Sequence, residues 1–258
     1  MMAENKPDKK ASVPGNAEEK KVSHADHHKA LDEKYPTKRG FWDVVAKNGF
    51  LLLTHILCDM KCIGKENFPK NNPYVVASNH QSYPDGVWIA KFLPRGHFKK
   101  MCCLAGADLE TNHGRIGRLI MKVGRGIAVD RYGNPVRGLI KAKKEVEQGD
   151  ICLVFPEGTR TPTGEIGELK DGASYIAIKA GVPLVPVFMS GAYQIWSRHD
   201  KKMKIWAGPF KRKKMRIIVG KPLYGKDFDN DAHKLTAELD RWMREMHSKY
   251  FDPENCEI

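Results

Sequence analysis

The chain has 258 residues, 41% of them hydrophobic and 29% charged, with a formal net charge of +13. That length holds one large domain or two small ones with a sizeable core. No stretch reaches the ~18 apolar residues of a membrane span; the longest candidate, residues 49–58 (GFLLLTHILC), is too short. The chain is therefore expected to lie on a membrane at most, not to cross one. Positive charge favours anionic partners: nucleic acid, acidic carrier proteins, phosphorylated substrates or anionic membrane. Charge alone does not choose among them.

The cysteines are Cys58, Cys62, Cys102, Cys103, Cys152 and Cys256. None forms a C-x-x-C pair, and no signal peptide is recognisable. Free thiols in a reducing compartment are the expectation, with no bound metal and no cofactor.

Residues 1–38 are rich in Lys, Glu, Asp, Ala and His and poor in large apolar side chains. Such a segment buries too little to offset its ordering entropy, so a disordered tail is expected. Its histidines, His24, His27 and His28, read as part of a solvated tail. From Gly40 the pattern changes. FWDVVAKNGFLLLTHILCDM carries Phe41, Val44, Val45, Phe50, Leu51, Leu53, Leu57 and Met60 among few charges, which suggests helix and sets off a segment 39–62. Two readings stand: a helix packed on the core, or an interfacial helix with Phe41, Trp42 and Phe50 among lipid headgroups.

A domain is expected over 63–251, followed by a short tail 252–258. Within it, apolar runs at 74–78, 100–104, 126–129, 151–155 and 184–189 read as strands. Helical patterns at 84–92, 114–123, 135–148 and 171–180 alternate with them. Alternation of this kind implies an α/β domain: a mixed, largely parallel sheet flanked by helices. Reactive groups in such sheets gather at the carboxyl ends of the strands. His80, Arg131 and Glu157 each follow a strand, so three distant clusters are expected to meet in one crevice.

Beyond Arg198 comes a basic stretch that includes Lys201, Lys204, Lys211, Arg212, Lys213, Lys214, Arg216 and Lys221. Apolar residues are interleaved, which predicts strands in a basic hairpin. The last segment, 231–251, spaces Leu235, Leu239, Trp242, Met243 and Met246 as one helix face, expected to face the core.

The first cluster is NHQSYPD, Asn79 to Asp85. Neutral imidazole accepts a proton near neutral pH, and a carboxylate on its other nitrogen fixes the tautomer. A Ser-His-Asp hydrolase using Ser82 must be weighed. Yet no G-x-S-x-G elbow surrounds Ser82, and a serine two residues after a histidine does not easily face its ring. A base that deprotonates the substrate itself is preferred. The second cluster is GIAVDR, Gly126 to Arg131, where a strand delivers an arginine able to grip phosphate. The third is FPEGTR, Phe155 to Arg160. Pro156 and Gly158 force a turn that exposes backbone N–H groups to an anion, and Glu157 and Arg160 bring opposite charges to the same mouth.

Taken with VPLVPV, Val182 to Val187, these clusters resemble in order and spacing the four motifs of the glycerolipid acyltransferases. The closest likeness is to the lysophosphatidic acid (1-acylglycerol-3-phosphate) acyltransferases, over roughly residues 60–223. The resemblance implies an α/β fold with a membrane-associating N-terminal helical segment. It implies that His80 is the general base and Asp85 its orienter. A glycerol hydroxyl would then attack a fatty acyl thioester of coenzyme A or acyl carrier protein, with no acyl-enzyme. It implies that Arg131 binds the acceptor phosphate and that Glu157, Gly158, Thr159, Arg160 and Lys170 help bind the acceptor. Asp171 stands where the family often has a second lysine, and Arg125 where small or polar residues are commoner. The implied setting is the cytoplasmic face of a membrane, held peripherally or monotopically, with a lysophospholipid acceptor and no nucleic acid. Other acceptors, such as glycerol-3-phosphate, fit the same motifs. A non-catalytic basic protein that binds membrane or nucleic acid is the reading from another class; the ordered clusters argue against it, and no nucleic-acid motif is recognisable.

Overall fold

A computed structural model of the chain describes residues 39–130, 134–204, 206–208 and 211–252. Residues 1–38, including His24, His27 and His28, lie outside them, as do Arg131 and Cys256.

The chain opens with α1 (Phe41–Leu57) and β1 (Cys58–Ile63), then β2 (Tyr74–Ser78), α2 (Asp85–Ala90), α3 (His97–Lys100) and β3 (Met101–Gly106). It continues through α4 (Leu109–Gly124), β4 (Gly126–Val129), α5 (Val136–Glu147), β5 (Ile151–Val154), α6 (Gly172–Ala180) and β6 (Leu184–Ser190). It closes with α7 (Ala192–Trp196), β7 (Trp206–Gly208), β8 (Lys211–Val219) and α8 (Ala232–Tyr250). The sheet runs β1-β8-β6-β2-β5-β3-β4, with β7 paired to β8. Among the described strand pairs, only β6–β8 and β7–β8 are antiparallel. The expected architecture, a mixed and largely parallel sheet with helical flanks, is the one found.

The central strands β2, β5 and β6 are buried throughout because both faces of the sheet are covered there. Along β2 the period of two sends Tyr74 and Val76 into one core and Val75 and Ala77 into the other. Ile151 and Leu153 of β5 join the first, Cys152 and Val154 the second. Trp88 and Ile89 of α2 cover one face; Ala142 of α5, Ile176 of α6 and Leu235, Leu239 and Met243 of α8 cover the other. Truncating Leu153, fully buried at the centre, to Ala should cost about 2–5 kcal/mol. The stripe on α8 faces the core as its spacing suggests. Asp231 caps that helix, its Oδ1 accepting from the backbone of His233 at 2.8 Å.

The helix expected to reach Met60 ends at Leu57, and Cys58–Ile63 is an edge strand. Its partner is β8, in parallel register from Cys58↔Lys213 to Ile63↔Ile218. Pairing with a strand some 150 residues away overrides the local helical pattern. The segment 39–62 is thus a helix of 17 residues that runs directly into a strand. The core-packing reading of α1 holds for one face, and the other face is exposed. Leu51 and Thr54 are buried, and Phe50 stacks on Trp88 at 6.4 Å. Phe41, Trp42, Val45, Leu52, Leu53 and Ile56 are exposed. No described helix is long and apolar enough to cross a membrane.

Candidate active site

β2, β5, β3 and β4 run parallel, side by side. The chain leaving β2 carries His80, and the chain leaving β5 carries Glu157. The turn after β2 starts with Asn79, whose side-chain amide acts as one more rung of sheet. Its Nδ2 donates to Met189 O at 3.0 Å, and its Oδ1 accepts from Met189 N at 2.7 Å. The next residue, His80, is thereby thrown clear of the strand.

Asp85, in the first turn of α2, folds that turn back on itself. Its Oδ2 accepts from His80 Nδ1 at 3.0 Å, Gln81 N at 2.7 Å and Ser82 N at 2.8 Å. The Asp85 side chain is fully buried, while that of His80 is 17% exposed. A carboxylate on Nδ1 holds the proton there and makes Nε2 the basic nitrogen. Ser82 Oγ is buried and makes no hydrogen bond, so the geometry pairs no serine with His80.

The loop after β5 grips His80 by its backbone. Glu157 Oε1 accepts from His80 N at 2.8 Å, and Thr161 N donates to His80 O at 2.8 Å. Phe155 stacks on the imidazole, ring centroids 3.9 Å apart and planes 15° from parallel. Glu157 Oε2 accepts from Gly167 N at 3.0 Å. Burial pushes the Glu157 carboxyl above its ordinary value, against the pull of those two N–H groups. Glu157 was expected to bind the acceptor; in the structure both of its oxygens accept from backbone N–H groups, one of them that of His80.

An apolar cavity of about 310 Å³ opens beside the imidazole, walled by Leu104, Val129 and Leu139. Gly158 and Lys170 line it as well. Gly158 has φ +71°, a conformation that disfavours any other residue. A Cβ there would lie 3.4 Å from Lys170 Nζ, so the ammonium sits directly over the glycine. The cavity thus carries His80, Lys170 and Asp171 in a mainly apolar wall.

Arg160 is placed elsewhere. It does not line the cavity; its guanidinium carbon lies 3.5 Å above the Tyr83 ring. Burial lowers its pKa below the ordinary arginine value, and the neighbouring Arg198 charge lowers it further. Thr159 is exposed. Arg125 belongs to no site: it stands at the amino end of β4, bonded to Glu145 at 3.0 Å and Asp150 at 2.6 Å. Sequence reasoning assigned no role to Asn79, Phe155 or Thr161. Asn79 and Phe155 flank motif residues, which is a signal of sorts. Thr161 acts through its backbone and leaves none.

The Acyltransferase family matches residues 59–190. A 1-acyl-sn-glycerol-3-phosphate acyltransferase of Bacillus subtilis is 32% identical over 212 residues, 78% of this chain and 95% of the relative. The chain spans about half the length of two other relatives. The 1-acyl-sn-glycerol-3-phosphate acyltransferase alpha of Ovis aries is 32% identical over 54% of this chain and 47% of the relative. The chloroplastic enzyme BAT2 of Brassica napus is 31% identical over 68% and 49%. The crystal structure of the 1-acyl-sn-glycerophosphate acyltransferase PlsC of Thermotoga maritima superposes with a TM-score of 0.60 at 24% identity, over 87% of this chain and 82% of that one. That likeness shows a shared fold. With the family match spanning half of its length and the Bacillus relative matched nearly end to end, this chain belongs to the acyltransferase family.

Proposed function

We propose that this protein acylates the free hydroxyl of lysophosphatidic acid to give phosphatidic acid, with a fatty acyl thioester as donor. The observation that carries the reading is the His80–Asp85 pair, 3.0 Å apart, at the wall of an apolar cavity that also holds Lys170. The relatives' names supply the acceptor: each is a 1-acyl-sn-glycerol-3-phosphate acyltransferase.

His80 Nε2 takes the proton of the acceptor hydroxyl as its oxygen attacks the thioester carbonyl. Asp85, fixed on Nδ1, stabilises the imidazolium that forms. The C–S bond then breaks, and the proton passes from imidazolium to the leaving thiolate. An ester and a free thiol result, and no acyl group rests on the enzyme. Base catalysis of this kind contributes about 10²–10⁴-fold, and positioning adds to it. The brace formed by Glu157, Thr161 and Phe155 serves that positioning. Lys170 and Arg160, with Arg131 beyond the described residues, supply cations for the acceptor phosphate.

A lipid acceptor requires contact with a bilayer. Two features support a peripheral or monotopic attachment. The outer face of α1 exposes Phe41, Trp42, Leu52, Leu53 and Ile56. Arg212, at the start of β8, donates to His55 O and Ile56 O of that helix, which brings the basic hairpin against it. Free Cys58, Cys62, Cys102, Cys103 and Cys152 support a cytoplasmic face. Either coenzyme A or acyl carrier protein serves the chemistry as donor.

The test is transfer of a labelled acyl group to lysophosphatidic acid, set beside glycerol-3-phosphate as competing acceptor. Labelled phosphatidic acid is the expected product. Preferential acylation of glycerol-3-phosphate would replace the acceptor, and failure with every thioester and acceptor would end the proposal.

A further inference from the structure

Arg160 stands outside the apolar cavity, in a setting made by residues of α7 and the turn beyond it. Tyr193 OH donates to Pro162 O at 2.8 Å, and His199 Nε2 meets the same carbonyl at 3.0 Å. Arg198 Nη1 donates to Arg160 O at 3.3 Å. Trp196 packs edge-on against Tyr83, which lies under the Arg160 guanidinium. The loop that carries Arg160 is thus clamped from a part of the chain that follows all four motifs.

Two guanidinium groups and an imidazole are gathered here, with Arg198 and His199 exposed. Arg160 Nη1 is shielded from solvent and has no hydrogen-bond partner. Of the nearby carboxylates, Asp200 is engaged elsewhere: its Oδ1 pairs with Lys204 at 2.6 Å, and its Oδ2 accepts from Ser197 Oγ at 2.8 Å. Asp85 is held through Oδ2 by His80, Gln81 and Ser82, and its charge, with Tyr83, favours the Arg160 cation without bonding it. The Arg198 charge already lowers the Arg160 pKa. Holding like charges together against their repulsion makes sense where an anion joins them.

We propose that Arg198 and His199 join Arg160 in a cationic subsite, outside the apolar cavity, that binds the phosphate of a substrate. This rests on the acyl-transfer reading and deepens it by giving the site a second cationic pole apart from Lys170. The ligand chemistry is a phosphate monoester or diphosphate, found on the acceptor or on a coenzyme A donor.

The experiment compares wild type, Arg198→Gln and Arg198→Lys in two readouts. Calorimetric binding of inorganic pyrophosphate reads the subsite without turnover. Steady-state kinetics, varying each substrate in turn, read its use. Arg198→Gln should weaken pyrophosphate binding and raise one substrate's KM, each about tenfold, while kcat falls by less. Arg198→Lys should recover part of both. A KM rise for palmitoyl-coenzyme A that is absent with palmitoyl-pantetheine assigns the donor. A rise for lysophosphatidic acid with either donor assigns the acceptor. Unchanged pyrophosphate affinity and unchanged KM values would overturn the subsite, as would a fall in kcat alone, which marks a loop clamp only. Pyrophosphate binding that depends on Arg198 in a protein with no acyl transfer would leave the subsite standing and remove the acyl-transfer reading instead.

Discussion

At His80 the backbone N–H, the carbonyl and Nδ1 each meet a partner inside the protein. Along the outer face of α1, Phe41, Trp42, Leu52, Leu53 and Ile56 meet solvent. The first region is finished by folding; the second is left exposed. Folding has fixed the imidazole in advance, so little reorganisation remains for the reaction. The apolar face, rimmed by basic residues, makes energetic sense at a lipid surface. Chemistry and attachment are thereby separable, and variants can test each alone.

Among variants that keep the base in place, Asp85→Asn should have the largest effect. An amide can still accept from Gln81 and Ser82, but it no longer stabilises a charged imidazole. A loss of about 10²–10⁴-fold in kcat is expected, with near-native melting. Near-wild-type kcat would mean that the finished region does not carry the chemistry.

Glu157→Gln comes next. One carboxylate oxygen becomes an NH₂ that cannot accept, so either His80 N or Gly167 N loses its partner. A cost of about 1–3 kcal/mol in stability is expected, and kcat should fall with it. The pH dependence sharpens this. The Glu157 pKa is raised above 4.5 by burial. The folded state therefore holds this proton more tightly than the unfolded chain does. The resulting stability is fully present below the ordinary glutamate range and is lost as pH rises through the raised value. Chemical denaturation across that range should show the decline in wild type and a flatter profile in Glu157→Gln. Identical slopes would assign the dependence to other groups.

The smallest effect is expected at the surface. Replacing Lys211, Arg212 and Lys214 with Gln should weaken co-sedimentation with anionic vesicles, each charge being worth about 1 kcal/mol near such a surface. Added salt should weaken the wild type in the same direction. Turnover of a soluble short-chain acceptor should change little. Unchanged co-sedimentation would take the hairpin out of the attachment surface.

Much of the fold was legible because the central strands are buried on both faces, and strands of that kind read as unbroken apolar runs. β1 was not. Its residues continue the apolar pattern of α1, and what makes them a strand is β8, far along the chain. The helix expected from residue 114 begins at Leu109, with a break at Gly114 (φ 50°). In the site, His80 and Asp85 were legible as a pair because one turn of chain brings them together. Glu157 was legible as a position but its partners were not: they are backbone N–H groups, which every residue but proline carries. The same limit hid Thr161. Arg125, which stands where small or polar residues are commoner in the family, closes a buried ion pair at the opposite ends of the strands. The separation of Lys170 from Arg160 could be seen only once the cavity was drawn.

In the proposed mechanism His80 deprotonates the acceptor hydroxyl directly. That step is tested most directly by acyl transfer from palmitoyl-coenzyme A to lysophosphatidic acid, with wild type beside His80→Ala. Phosphatidic acid formed by wild type and abolished in a folded His80→Ala protein is the predicted result. Transfer that survives the substitution would contradict the mechanism.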